Sequence, residues 1–219
     1  ISSSIMQMLS NQTQTNQDKD AAFTFIDLFA GIGGMRIAYE SQGGDCVYSN
    51  EWNKYCQQTY FANFGEQPDG DITKVDVTKL PKYDVLCAGF PCQAFSKAGK
   101  RLGFQDETKG TLFFDIERIM QHTQPKYALL ENVRNLATHD KGNTWKVIHQ
   151  HLVAIGYNVL CDPVIFSPHY LGIPQHRERV YIMCIRKDVG ELPKFIFNKD
   201  KLPKCCIDDI LQNDEEITN

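Results

Sequence analysis

From Phe23 onward the chain alternates between short apolar runs and stretches with helical spacing. The runs FTFIDLF (23–29), CVYSNE (46–51), DVLCAGF (84–90), YALLENV (127–133), NVLCDPVIF (158–166) and RVYIMCIR (179–186) are rich in Val, Ile, Tyr and Phe. Their length and continuous hydrophobicity predict buried strands. A further strand is expected to end at Gly70-Asp71-Ile72. Between the runs, residues 111–122 place Leu112, Ile116, Ile119 and Met120 on one side, with Thr111 as a cap, which predicts a helix. Helical patterns also cover 33–42, 53–63 and 144–155. Strands alternating with helices imply an α/β fold, a three-layer and mostly parallel sheet whose ligands gather beyond the carboxyl ends of the strands. Residues 1–22, rich in Ser, Gln, Asn and Thr, read as a flexible polar lead-in, with room for a short docking helix around Ile5 to Leu9.

Composition narrows the class. The chain has 219 residues, 42% of them hydrophobic, which suits one globular domain. No apolar run approaches the ~20 residues of a membrane helix, and the start lacks the basic and apolar parts of a secretory signal, so neither membrane insertion nor export is expected. The eight cysteines form no CxxC pair, which points to neither a zinc site nor a disulfide framework. The formal charge of −4 is concentrated in the acids of 205–219, and without the two ends the remainder is slightly positive. Net charge therefore does not exclude nucleic acid.

The first run leads into Ala30-Gly31-Ile32-Gly33-Gly34 and then a helix. Glycines there let the backbone turn tightly and approach a ligand, although the same residues would also serve a plain strand-to-helix turn. The second run ends in Asn50-Glu51-Trp52. An acid about 20 positions after the glycine turn is placed to accept from two ribose hydroxyls, with Trp52 lying against a purine. Asp71 is placed to accept from an exocyclic amine. Each acid alone would equally be a solvated carboxylate, but in this order they point to an adenosine-containing ligand.

The run 84–90 delivers Gly89-Phe90-Pro91-Cys92-Gln93-Ala94-Phe95-Ser96. A cysteine at the mouth of an α/β sheet has the exposure a nucleophilic thiolate needs, whereas Cys87, Cys161 and Cys184 are expected to be buried as small hydrophobes. With this loop, seven ordered segments, DLFAGIGGMR (27–36), NEW (50–52), GDI (70–72), GFPCQAFS (89–96), GTLFFDIERI (110–119), ENV (131–133) and GIPQHRERVYIMC (172–184), resemble the DNA (cytosine-5)-methyltransferases. The resemblance spans about Phe23 to Lys187.

It implies the seven-stranded, Rossmann-like fold of S-adenosylmethionine-dependent methyltransferases, with S-adenosylmethionine as donor and S-adenosylhomocysteine as product. By position, Phe29 would pack on the adenine, Gly31, Ile32 and Gly33 would line the methionine part, and Glu51 would hold the ribose. Trp52 would cover the adenine, Asp71 and the backbone of Ile72 would read its edge, and Pro91 and Leu112 would complete the wall.

The same resemblance makes Cys92 the nucleophile that adds to carbon 6 of cytosine and activates carbon 5. Glu131 would then act at N3, which requires it to be protonated. Arg179 would bind the O2 side and steady Glu131, with Arg177 as a second member sharing its face if 175–179 is extended. The substrate would be double-stranded DNA with the target base flipped out. The segment Gln93–Lys109, with Ser96, Lys97, Lys100 and Arg101 as phosphate contacts, would close over it. No metal is expected.

Residues 23–190 would form the catalytic domain and 191–219 an exit toward a target-recognition domain, supplied by further chain or by a second polypeptide. The setting would be a bacterial restriction–modification system, cytoplasmic and DNA-associated. Two alternatives remain: an RNA cytosine-5 methyltransferase, against which Phe90-Pro91-Cys92 rather than Pro-Pro-Cys argues, and a non-catalytic subunit that retains the pocket.

Overall fold

The computed structural model describes residues 21–91 and 112–192. Seven strands make one sheet: β1 (Phe23–Leu28), β2 (Gly44–Asn50), β3 (Val85–Gly89), β4 (Tyr127–Val133), β5 (Tyr157–Val159), β6 (Val164–Phe166) and β7 (Arg179–Arg186). Four helices connect them: α1 (Gly34–Glu40), α2 (Lys54–Phe64), α3 (Leu112–Thr123) and α4 (Asn143–Ala154). The spatial order is β2-β1-β3-β4-β7-β5, with β6 also on β7. The pairs β1/β2, β1/β3 and β3/β4 are parallel, whereas β7 runs antiparallel to β4, β5 and β6. Every strand except β7 therefore points the same way, as the strand–helix alternation implied.

The two-residue period of β1 sorts its side chains onto two faces. Ile26 and Leu28 join Leu86, Ala88, Leu130 and Ile182 in the main core, under Phe113, Ile116, Ile119 and Met120 of α3 and Trp145, Ile148 and Leu152 of α4. Phe25, Cys46 and Cys87 face the other way, against Met35 and Tyr39 of α1. These opposite faces make the three layers. Helix α2 shows why its ends fall where they do. Asn53 Oδ1 accepts from the N–H groups of Tyr55 (2.9 Å) and Cys56 (3.2 Å), and Gly65, at φ 73°, closes the other end.

Three expectations need correction. No strand ends at Gly70-Asp71-Ile72. A single parallel bridge joins Asn50 to Asp69, and the chain then makes two 3₁₀ turns, Ile72–Lys74 and Val77–Lys79. The cause is local: Asp71 and Asp76 each accept from the N–H and hydroxyl of the Thr two residues on, which competes with pairing into a ladder. The run 158–166 is not one strand. Asn158-Val159 belongs to β5 and Val164–Phe166 is β6, both on the outer edge of β7, and the chain between them bulges around Pro163, which has no N–H to donate. Cys161 lies in that bulge and is exposed, unlike the buried Cys87 and Cys184.

Candidate active site

The turn after β1 is fixed from several directions. Phe29, Gly31 and Gly33 all have positive φ, at 56°, 57° and 95°. Glycine adopts this conformation readily and Phe29 is strained in it. Ala30 donates its N–H to the Asn50 carbonyl at 2.9 Å, and Gly31 donates to Glu51 Oε2 at 2.8 Å. The other oxygen of Glu51 accepts from the Asn53 N–H at 2.7 Å. Gly33 lies against the ring of Phe64, and the guanidinium of Arg36 covers that ring at 4.4 Å. Arg36 itself is buried and paired with Glu40 and Glu66. The glycine turn is thus held by α2 as well as by β2.

A second set of bonds brings the Asp71 segment alongside. Glu51 donates its N–H to the Asp69 carbonyl, Asp69 donates to the Ser49 carbonyl, and the Asn50 side chain donates to the Gly70 carbonyl at 2.8 Å. Asp71 Oδ1 caps the following turn, while Oδ2 lies 3.6 Å from Lys74 Nζ, and these contacts hold its carboxyl below the usual range. Ile72 is buried, and its carbonyl accepts from the Val75 N–H at 3.2 Å and from Arg118 at 3.0 Å. Trp52 is 77% exposed. Leu112 packs partly against the core at the start of α3, and Pro91 is exposed at the end of the β3 exit. Two carboxylates, an exposed indole and a glycine turn are thus brought together by the ends of β1 and β2 and the segment that follows Asp69.

Across the sheet, Glu131 on β4 stands beside Gly89 of β3 and Tyr181 of β7. Its Oε1 is 2.9 Å from Arg179 Nε. Burial pushes the Glu131 carboxyl upward, and Arg179 and Arg177 offset part of that rise. Arg177 precedes β7 and lines the same cavity as Glu131. One cavity of about 530 Å³ is lined by Phe29, Ala30 and Gly34 at one end and by Gly89, Glu131, Arg177 and Tyr181 at the other. Glu51, Trp52 and Asp71 do not line it; Glu51 is joined to the glycine turn through its bond to Gly31, and Asp71 lines a separate cavity of about 380 Å³ with Tyr48 and Asp69.

Cys92 and the loop residues Ser96, Lys97, Lys100 and Arg101 lie outside the described residues. The approach to Cys92 is nevertheless fixed, because the buried Asn132 donates its amide to the Phe90 carbonyl at 2.8 Å. Asn132 was visible in the sequence only as part of the ENV segment, and Asp27 and Arg134 carried no signal of their own. Asp27 is 1% exposed, lines the same cavity, accepts from the Cys87 thiol at 3.5 Å, and is pushed up to about 7 by burial. Among the described residues no group of three or more His, Cys, Asp or Glu side chains has metal-binding geometry, and no helix is long and apolar enough to cross a membrane.

Comparison with known proteins bears on the family and the fold. The chain is 50% identical over 193 residues to the type II methyltransferase M.HhaI of Haemophilus parahaemolyticus, covering 88% of this chain and 58% of that protein. It is 52% identical over 183 residues to M.HpaII of Haemophilus parainfluenzae, covering 82% and 50% respectively. The chain thus spans a little over half the length of these relatives. In fold it is similar to the DNMT2 of Spodoptera frugiperda, with TM-score 0.65 and 22% identity over 88% of this chain and 60% of that one. Residues 23–219 match the family described as C-5 cytosine-specific DNA methylase, and the chain belongs to that family.

Proposed function

We propose that this chain carries the catalytic part of an enzyme that methylates carbon 5 of cytosine in double-stranded DNA with S-adenosylmethionine. The observation that carries the reading is the shared cavity, in which the glycine turn at Phe29–Gly34 and the Glu131–Arg177 wall face one space. When bound, the cofactor supplies an electrophilic methyl group on a sulfonium. Glu51 binds the ribose hydroxyls, Trp52 and Phe29 hold the adenine, Asp71 with the Ile72 backbone reads its edge, and Pro91 and Leu112 close the wall. Gly31, Ile32 and Gly33 admit the methionine part.

Cytosine carbon 5 is a weak nucleophile. Addition of the Cys92 thiolate to carbon 6 breaks the ring conjugation and makes carbon 5 enamine-like. Negative charge then develops on the ring, and protonated Glu131 offsets it by donating at N3. A raised carboxyl beside two arginines suits that role, because burial favours the proton while Arg179 orients the group through Nε and would meet the base's O2 side with its guanidinium. Once carbon 5 is methylated, a water or hydroxide takes its proton, and the electron pair restores the 5,6 double bond as the C6–S bond breaks and the Cys92 thiolate is released. A flipped-out base satisfies the access requirement, and closure of the 93–109 loop over phosphates through Ser96, Lys97, Lys100 and Arg101 would exclude water.

The test is covalent trapping with the full-length enzyme, S-adenosylmethionine and duplex DNA containing 5-fluorocytosine. A stable adduct that is lost in Cys92→Ser supports the reading. An adduct formed only with RNA transfers the chemistry to RNA, and cofactor binding without any adduct identifies a non-catalytic pocket.

A further inference from the structure

The Glu131–Arg179 pair has a counterpart of opposite polarity. Glu131 on β4 meets Arg179 on β7 at 2.9 Å, and three residues further along, Arg134 from the β4 side meets Glu178 from the β7 side at 2.6 Å. The register places Val133 opposite Arg179, so both pairs close the same end of the β4/β7 ladder. Glu178 is 17% exposed in its side chain, whereas Arg134 is 63% exposed. A carboxylate so covered is costly to leave unpaired. The charged groups next to it in the chain are Arg177 and Arg179, and the Arg179 guanidinium already donates to the Glu178 carbonyl at 2.9 Å.

The backbone around Glu178 is fixed from the far side as well. The buried Ser167 accepts the Arg177 N–H at 3.0 Å. What remains to be fixed is the Glu178 carboxylate, and Arg134 fixes it. We propose that Arg134 is a positioning residue: by holding Glu178 it keeps Arg179 and Arg177 committed to Glu131. The inference rests on the reading that Glu131 and its arginines act on the cytosine ring. Among the described residues, the other titratable groups that line the cavity with Glu131 and Arg177 are Tyr181 on β7, Asp27 on β1 and Tyr39 on α1, and the ion pair of Arg134 is with Glu178 rather than with any of these.

The experiment uses full-length enzyme carrying Arg134→Ala, Arg134→Lys or Arg134→Ala with Glu178→Gln. In Arg134→Ala the released Glu178 competes for Arg179, so kcat falls about three- to tenfold at unchanged KM for S-adenosylmethionine. The Glu131 carboxyl, followed by carbon-13 NMR, titrates higher because it has lost part of its cationic partner, by roughly half a pH unit or more. Arg134→Lys retains most of the rate. The double variant, with no free carboxylate to compete, returns to within about twofold of the parent, whereas a bracing role for the pair would make it worse than the single. An unshifted Glu131 titration in Arg134→Ala, or a double variant slower than the single one, overturns the proposal. A Glu131 titration that shifts in a parent enzyme forming no Cys92 adduct upholds the coupling and removes the reading of the reaction instead.

Discussion

Glu51 braces the glycine turn and, in the function proposed above, also binds the ribose; replacing it with Gln tests both. In the ligand-free fold its carboxylate accepts from the Gly31 N–H at 2.8 Å and the Asn53 N–H at 2.7 Å, so one side chain ties the glycine turn to the start of α2. Glu51→Gln turns one of those acceptors into an amide that faces an N–H donor. A hydrogen bond to a charged group contributes about 1.5–3 kcal/mol, and partial exposure here favours the lower end, about 1.5–2 kcal/mol. For a domain of this size that corresponds to a Tm lowered by roughly 3–8 °C before any ligand is added. The ribose hydroxyls would lose an acceptor too, so the affinity for S-adenosylhomocysteine should fall about 10- to 100-fold. Calorimetric titration and thermal unfolding of the ligand-free protein read the two effects separately. A Tm unchanged within a degree, whatever happens to the affinity, would show that the turn does not depend on Glu51 and refute the reasoning.

Two further predictions concern the same turn and the strand beneath it. Gly33→Ala places a Cβ 2.1 Å from the Phe64 ring at a φ of +95°, so it should cost the left-handed penalty of ~1–2 kcal/mol and also displace a ring pinned by Arg36. Gly31→Ala, at +57° with nothing within 4 Å, should cost the conformational penalty alone; equal urea midpoints for the two variants would remove the Phe64 contact from the explanation. Burial pushes Asp27 up to about 7, so the folded protein keeps a proton that the unfolded chain releases near 4, and this group lowers stability progressively as pH rises across that window. Asp27→Asn should therefore gain stability relative to the parent between pH 5 and pH 8 in urea unfolding, and parallel curves would contradict the assignment.

How much of this was legible depended on whether the signal was local. Continuous apolar runs located the strands because a sheet covered on both faces needs them, and β4 and β7 fall on the predicted residues 127–133 and 179–186. Gly70-Asp71-Ile72 misled because an Asp followed two residues later by Thr satisfies its backbone locally, which apolar content does not reveal. The split of 158–166 and the exposure of Cys161 follow from Pro163, whose missing N–H was present in the sequence but was outweighed by its apolar neighbours. The glycine turn and Glu51 were singled out by residue type and order, whereas Glu131 was singled out only by the family resemblance. Asp27, Asn132 and Arg134 were not, since each works through a partner between 42 and 60 residues away: Cys87, Phe90 and Glu178.

The reversed strand explains where the chemistry can be assembled. In a parallel sheet, functional residues collect after strands, because all carboxyl ends lie on one side. Glu51, Pro91 and Asn132 obey this at the ends of β2, β3 and β4. Arginines following a parallel strand could reach that side only from a loop. Because β7 runs the opposite way, its first residue, Arg179, is paired with Val133 at the end of β4, so the cation is delivered by a strand start. A strand start is held by ladder hydrogen bonds on both neighbours, β4 and β6, and Arg179 is therefore more rigidly placed than a loop residue would be. The residue before it gains no such support, which is why Glu178 needs Arg134. It follows that a deletion of one residue between Ser167 and Glu178 should uncouple Arg177 from the site, through loss of its bond to Ser167, while leaving the Glu131–Arg179 pair in place, because the β7 ladder and the Arg134–Glu178 contact, rather than the preceding loop, set that pair.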